Sequence, residues 1–141
     1  MNVPTSILTT TEARAEGGRA GGKVTLDGQV WFHMEHDKAL GGSGEGMTPE
    51  DLFAAGYAAC FNSALLFVAS QQKVDAAKAK VTARVGMGRS EAGGFALTVD
   101  LTVHVPGLDL AAAQALVEAA HQVCPYSNAT RGNVPVTLNV V

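Results

Sequence analysis

The sequence has few cysteines, no clustered positive charge and no N-terminal targeting pattern, and each shortage excludes a class of protein. Its 141 residues contain two cysteines. A chain of this length buries about 70% of its unfolded surface, so it needs no structural disulfide. The net charge of −3 and the absence of a Lys/Arg cluster argue against nucleic acid as a partner. Residues 1–10 lack the basic start and apolar stretch of a signal peptide, which predicts a cytoplasmic protein. In that compartment a lone cysteine pair is expected to be catalytic, redox-sensing or inert.

Patterns for metal and phosphate sites are also incomplete. His121 lies one turn before Cys124, but no further Cys or His falls at zinc-finger spacing. His33 and His36 are predicted to point to opposite faces of a strand, so they would not share a metal, and no metal is expected. The glycine-rich residues 41–46 lack the Gly-Lys-Ser/Thr ending of a phosphate loop and are interpreted as a mobile loop.

One long apolar run invites a membrane interpretation. Residues 52–69 are just short of the about 20 that a spanning helix needs, and Asn62 and Ser63 interrupt them. The run has neither a basic flank nor an aromatic belt. A helix that is apolar on nearly every side is otherwise the buried centre of a globular domain, and this is the interpretation we favour.

Local signals predict a single α+β domain over residues 1–141, with antiparallel sheet. Thr48 is a favourable N-cap and Pro49 a favourable first helical residue, so a long helix is expected over residues 48–72. Asp109 is expected to cap a second helix that ends near Val123. Its apolar stripe consists of Leu110, Ala113, Leu116, Val117 and Ala120. Strands are predicted at residues 6–15, 23–27, 29–36, 79–90, 95–105 and 134–141, and a turn-rich connection at residues 125–133.

The settings of the two cysteines suggest a redox pair. Cys60 lies within the apolar run, whereas Cys124 ends the second predicted helix, where Pro125 stops it. A thiol reacts as thiolate, and apolar burial raises its pKa, so Cys60 needs a positive side chain from elsewhere. Arg19 stands out because glycine pairs flank it, which lets the backbone bring the guanidinium close to another element.

Each of these residues also has a simpler interpretation. Cys60 could be a small buried hydrophobic residue. Arg19 could be a surface charge in a turn, and Glu50 an acid that is favourable beside the helix dipole. At about 100° per residue, the face of Cys60 also carries Phe53, Tyr57, Ala64 and Phe67. Such an aromatic wall favours a substrate with an apolar tail.

Four sequence blocks resemble those of one known family. They are GGR at residues 17–19, ALGG at 39–42, TPEDLFAAGYAACF at 48–61 and AAHQVCPYSNATRGN at 119–133. In these blocks the chain resembles the organic hydroperoxide resistance (Ohr) proteins of the Ohr/OsmC group, over essentially its whole length. The block around the second cysteine favours the Ohr branch over its OsmC relatives.

The resemblance implies a thiol peroxidase that reduces organic hydroperoxides to alcohols. It implies that Cys60 is the peroxidatic thiolate, that Cys124 is the resolving thiol, and that Arg19 and Glu50 form the charged pair that activates Cys60. The implied fold is α+β, with antiparallel sheets packed on a long buried central helix, in an intertwined homodimer with two active sites at the subunit interface. The implied reductant is an external lipoyl dithiol, such as dihydrolipoamide on a lipoylated protein, and no bound cofactor is expected.

Helix geometry adds an expectation about the dimer. Glu50 and Cys60 are ten residues apart on one predicted helix. Their Cα atoms should therefore lie about 15 Å apart along its axis. Helical side chains lean toward the N-terminus, which moves the Glu50 carboxylate further away. Glu50 of one subunit is therefore predicted to support Arg19 at Cys60 of the partner subunit.

Two other functions fit the same residues. The chain could be a cysteine-based redox sensor without turnover, although its acidic charge and lack of a DNA-binding motif weaken that hypothesis. It could also be a module whose apolar helix pocket holds a lipid, with the cysteines incidental. Repeated turnover in excess peroxide separates the enzyme from the sensor. Binding that survives replacement of both cysteines would favour the lipid module.

Overall fold

The computed structural model describes residues 3–141. The first two residues of the predicted domain 1–141 lie outside this range. The helices are α1 (Pro49–Gln72), α2 (Leu110–Val123) and α3 (Pro125–Thr130), with a 3₁₀ turn at Lys38–Leu40. The strands are β1 (Ala13–Glu16), β2 (Lys23–Leu26), β3 (Gln29–His33), β4 (Lys80–Arg89), β5 (Phe95–His104) and β6 (Val136–Val140). The chain divides into two compact units: the first ends at Leu52, and the second covers Phe53–Val141.

The first unit contains a three-stranded antiparallel sheet in the order β1-β2-β3. A tight turn joins β2 to β3 as predicted, and both of its central residues have positive φ, 50° at Asp27 and 77° at Gly28. The predicted strand over residues 6–15 is wrong over most of its length, because only β1 forms there. β2 has just four residues to pair with β1, so the preceding Thr-rich segment finds no ladder there and stays exposed.

The second unit contains the other three-stranded sheet, in the order β4-β5-β6. β4 and β5 form the predicted antiparallel hairpin, with ten residue pairs from Lys80↔His104 to Arg89↔Phe95. β6 pairs with β5 in parallel, so the expectation of purely antiparallel sheet is wrong. β6 is parallel because α2 and α3 carry the chain back to the end of the sheet where β5 begins. Such a β-α-β crossover joins parallel strands.

The core of the second unit lies between its sheet and its helices. Alternate β5 side chains Val99, Leu101 and Val103 are buried, and α1 contributes Tyr57 and Leu65. The predicted α2 stripe is confirmed for Ala113, Leu116, Val117 and Ala120, whereas Leu110 at the first turn is exposed. α2 is thus amphipathic and packs its apolar stripe inward.

The long central helix is confirmed within one residue of its predicted start, but it is buried on one side only in this chain. Leu66 is 40% exposed and Phe67 is 58% exposed, although both lie in the middle of the apolar run. By length and composition α1 could cross a membrane, with a mean hydropathy of 1.7, and core helices of soluble proteins pass the same test. Its buried residues belong to the core of the second unit.

A short third helix replaces the predicted connection over residues 125–133. Pro125 cannot continue α2, but its fixed φ suits the first position of a new helix, and α3 begins there. Cys124 is therefore the last cap of α2 and the N-cap of α3. The second cysteine thus lies at a fully buried corner between two helices.

Candidate active site

The two cysteines face each other in the second unit. Cys60 is half-buried on α1 and Cys124 is fully buried, and both are free thiols. Their Sγ atoms are 3.6 Å apart, with the Cys124 thiol donating to the Cys60 sulfur. A disulfide needs about 2.05 Å, so an approach of about 1.5 Å would close the bond. The fold thus brings together two thiols that are 64 residues apart in sequence.

The surroundings of Cys60 act in two directions on its ionisation. Burial raises the pKa of the Cys60 thiol, because a thiolate loses hydration there. The backbone N–H of Tyr126, in the first turn of α3, lowers the pKa by donating to the sulfur. A thiolate at Cys60 near neutral pH therefore requires a positive charge in addition to this donor.

An aromatic cluster adjoins the cysteines. Phe53 and Tyr57 meet edge to face, with ring centroids 5.9 Å apart. Tyr126 lies against both rings, at 5.7 Å from Tyr57 and 6.2 Å from Phe53. Gly56 leaves room for this ring, because a Cβ there would lie 3.0 Å from the Tyr126 hydroxyl oxygen. The predicted wall residue Phe67 is largely exposed in this chain.

The buried hydroxyl groups of Tyr57, Ser127 and Thr130 form a hydrogen-bonded series with His121, which we call the hydroxyl chain. The Tyr57 hydroxyl lies 3.0 Å from Ser127 Oγ and 3.1 Å from Thr130 Oγ1, and His121 Nδ1 lies 2.8 Å from Ser127 Oγ. Thr130 donates to the backbone carbonyls of Tyr126 and Ser127.

Counting the available protons assigns a donor and an acceptor to each hydrogen bond of the hydroxyl chain. Since the Thr130 proton is used on carbonyls, Thr130 accepts from Tyr57, which leaves Tyr57 to accept from Ser127. Ser127 then accepts from His121, which places a proton on Nδ1. Burial, with a contribution from the charge of Arg131, lowers the pKa of His121, which favours the neutral ring.

The first unit holds the other predicted pair. Arg19 and Glu50 form a bidentate ion pair, with Nη1–Oε2 at 2.7 Å and Nη2–Oε1 at 2.6 Å. The hydrogen bond from Arg19 lowers the pKa of Glu50, and the same bond raises the pKa of Arg19. Arg19 thus meets Glu50 of its own chain, so this contact needs no second subunit.

Local sequence explains how both partners are presented. Thr48 caps α1 as predicted: its Oγ1 accepts from the Asp51 N–H at 3.1 Å, and its own N–H donates to the Asp51 carboxylate at 2.8 Å. This capping box fixes the first turn, where Glu50 lies. Gly17 and Gly18 before Arg19 have φ of 76° and 64°, a backbone conformation that other residues adopt at a cost.

Sequence reasoning missed Tyr126, Ser127 and Thr130 as parts of the site. The only signal was their place in the block that follows Cys124, which local periodicity interprets as a turn. Within residues 3–141, the structure contains no group of three or more His, Cys, Asp or Glu side chains that could hold a metal ion. The expectation of a metal-free protein stays a prediction.

Comparisons with known proteins agree on one family. The family model described as OsmC-like protein matches residues 42–139. The chain is 47% identical over 142 residues to the organic hydroperoxide resistance protein of Xanthomonas axonopodis pv. citri (strain 306), covering 99% of each. It is 44% identical over 134 residues to the organic hydroperoxide resistance protein OhrB of Bacillus subtilis (strain 168), covering 94% of this chain and 98% of that one.

Solved structures give the same result. An organic hydroperoxide resistance protein from Elizabethkingia anophelis, with thiocyanate bound, superposes with a TM-score of 0.90 at 49% identity, covering 96% of this chain and 98% of that one. A putative one from Vibrio cholerae has captopril bound in one of its active sites. It superposes with a TM-score of 0.92 at 46% identity, covering 99% of this chain and 96% of that one.

Proposed function

Because the chain belongs to the OsmC-like family and to its organic hydroperoxide resistance proteins, we propose that it reduces organic hydroperoxides to alcohols with Cys60 and Cys124. The family membership supports the hydroperoxide as substrate class. The observation that carries the chemistry is the distance of 3.6 Å between two free thiols. That distance suits a pair that closes to a disulfide and is reopened.

The proposed reaction has three steps. The Cys60 thiolate attacks the distal peroxide oxygen, the O–O bond breaks, and the departing alkoxide takes up a proton to become the alcohol. The sulfur, oxidised by two electrons, is left as sulfenic acid. Cys124 then attacks this sulfur, forming the disulfide and releasing water, which prevents over-oxidation. An external dithiol restores both thiols by exchange and is itself oxidised to a disulfide.

Arg19 and Glu50 are proposed to make the first step possible at neutral pH. Burial raises the pKa of Cys60, so a thiolate needs a cation, and Arg19 keeps its charge in partly buried surroundings. Glu50 holds the guanidinium in a fixed orientation through two hydrogen bonds. The same guanidinium could stabilise the negative charge that develops as the O–O bond breaks.

The substrate is proposed to carry an apolar tail. Phe53 and Tyr57 pack together near the cysteines, and Tyr126 adds a third ring. Such a surface favours alkyl or aryl hydroperoxides over hydrogen peroxide, because apolar area is removed from water on binding. Phe67 stays a predicted pocket residue.

The assembly and cellular setting are proposals as well. We infer a homodimer, because the apolar middle of α1 exposes Leu66 and Phe67 in this chain and the relative from Vibrio cholerae has more than one active site. The proposed reductant is a lipoyl dithiol on a partner protein, and no bound cofactor takes part. The proposed location is the cytoplasm.

The test follows the consumption of an aliphatic hydroperoxide with dihydrolipoamide. Wild type should turn over many times, Cys60→Ser should be inactive, and Cys124→Ser should react once and then stall or over-oxidise. Glutathione in place of dihydrolipoamide tests the dithiol requirement. A single equivalent of peroxide consumed by wild type would indicate the redox sensor instead. Apolar ligand binding that survives loss of both cysteines, with no peroxide consumed, would indicate a lipid-binding module.

A further inference from the structure

The loop that leads into α1 converges on one carboxylate, that of Glu35. Oε1 accepts from the backbone N–H of Ser43 at 2.8 Å. Oε2 accepts from the Ser43 hydroxyl at 2.8 Å, from the Gly46 N–H at 3.0 Å and from the Glu45 N–H at 3.1 Å. These four hydrogen bonds lower the pKa of Glu35 to about 2, so it stays ionised throughout the neutral range. The loop that the sequence predicted to be mobile is therefore tied to a charged side chain.

The backbone around Glu35 is hydrogen-bonded both to the turn that carries Arg19 and to the segment that leads into the helix carrying Glu50. We call residues 33–35 the anchor segment. On one side, Met34 accepts from the Gly21 N–H at 3.1 Å and donates to the Gly22 carbonyl at 2.8 Å, which attaches the turn that carries Arg19. On the other side, the Glu35 N–H donates to the Met47 carbonyl at 3.0 Å, and the Met47 N–H donates to the His33 carbonyl at 2.9 Å.

Met47 directly precedes the N-cap of α1, so this second side attaches the helix start that carries Glu50. The loop also fits closely on the anchor segment and on His36, which directly follows it. A Cβ at Gly46 would lie 2.7 Å from the Glu35 Cβ, and a Cβ at Gly42 would collide with the His36 carbonyl. The turn that carries Arg19 and the helix start that carries Glu50 are thus both held on the anchor segment. The Glu35 side chain fixes the loop that connects this segment to α1.

We propose that Glu35 is a positioning residue for the Arg19–Glu50 pair, because it clamps residues 43–46 to the anchor segment and so keeps Glu50 opposite Arg19. A bidentate ion pair is sensitive to such placement, since both hydrogen bonds require the two planar groups to stay aligned. Glu35 takes no part in the chemistry itself. The consequence for catalysis rests on the proposed function, in which the pair activates Cys60.

The experiment compares Glu35→Ala and Glu35→Gln with Glu45→Ala. The control removes a carboxylate from the same loop, where Glu45 is exposed and contributes only its backbone N–H to the clamp. The first measurement, by NMR, is the exchange of the Arg19 guanidinium protons and of the loop amides with water. Losing hydrogen bonds to a charged acceptor should accelerate both by about tenfold or more in Glu35→Ala. Glu35→Gln should be intermediate, because one oxygen remains, and it carries the test if the alanine variant does not fold.

The second measurement is the alkylation of Cys60 by iodoacetamide as a function of pH, in a Cys124→Ser background with one thiol. Glu35→Ala should shift the profile to higher pH, in the direction of an Arg19→Ala reference, while Glu45→Ala should leave it in place. Peroxidase kcat/KM, measured with Cys124 intact, should fall by about tenfold.

The outcomes separate the two proposals. Unchanged exchange of the Arg19 guanidinium protons in both Glu35 variants would overturn the positioning role, whatever the activity. Faster exchange with an alkylation profile and kcat/KM equal to those of Glu45→Ala would overturn its consequence for the site. If Arg19→Ala itself leaves the alkylation profile in place, the proposed function of the pair fails, and the exchange data still decide the role of Glu35.

Discussion

Replacing Tyr57 by phenylalanine should destabilise the protein by breaking the buried hydroxyl chain at its centre. The Tyr57 hydroxyl accepts from Ser127 and donates to Thr130, and neither of these groups is open to water. The change keeps the ring and its contacts with Phe53 and Tyr126. It removes one hydrogen-bond partner from the buried Ser127 hydroxyl and one from the buried Thr130 hydroxyl.

The magnitude follows from these two lost bonds. A buried polar group that loses its partner costs about 1–3 kcal/mol. Ser127 keeps its bond with His121, and Thr130 keeps its bonds to backbone carbonyls, so the lower half of that range applies. A loss of about 2 kcal/mol should lower Tm by about 4–8 °C in a chain of this size.

Urea unfolding of a double-mutant cycle measures the effect. Tyr57→Phe, Ser127→Ala and the double variant should show a coupling energy of about 1 kcal/mol, because each single change removes the same bond. Tyr126→Phe is the matched control, since Tyr126 is 39% exposed and its hydroxyl makes no hydrogen bond within the described residues. Additive losses, or a Tyr57→Phe variant as stable as Tyr126→Phe, would refute the stabilising role of the hydroxyl chain.

Two further predictions concern pH and the dimer. Folded His121 has a pKa below the ordinary value of about 6.5, so the folded state binds fewer protons than the unfolded state. Stability should therefore be greatest above about pH 6.5 and fall as the pH decreases, and thermal melts should show that His121→Asn reduces this slope while exposed His104→Asn does not. In the proposed homodimer, where the Arg19–Glu50 pair is proposed to activate Cys60, mixed dimers of a Cys60→Ser chain with a Glu50→Ala chain test which subunit's pair serves each sulfur. About half of the wild-type activity is expected if the pair serves Cys60 of the partner subunit, whereas activity no higher than that of Glu50→Ala dimers would show that each chain serves its own thiol.

Much of the fold could be predicted because its signals are local. Thr48 and Pro49 predict the start of α1, and the structure has a capping box there. Period-two alternation predicts the β4–β5 hairpin, and both turn geometry and period are set by residues close in sequence. The family resemblance also came from the sequence, since its motif blocks are contiguous, and the comparisons confirm it.

The misplaced elements are those whose state depends on distant partners. Residues 6–12 have strand-forming composition but no ladder, because β2 ends after four residues. β6 has the pattern of any strand, and only the return of the chain through α2 and α3 makes it parallel to β5. α3 looked like a connection because a six-residue helix has too little periodicity to detect, and its first turn depends on the buried corner at Cys124.

The sequence by itself determined which side chains are candidates for the proposed chemistry, since thiols, guanidinium and carboxylate are properties of residue type. It could not determine that the two sulfurs lie 3.6 Å apart, or that Arg19 meets Glu50 within one chain. It also could not reveal that Glu35 gathers four donors, or that His121, Ser127, Tyr57 and Thr130 form one chain. These contacts join residues from 6 to 73 positions apart. They exist only because the tertiary fold of each unit brings these groups together, and no local pattern encodes that approach.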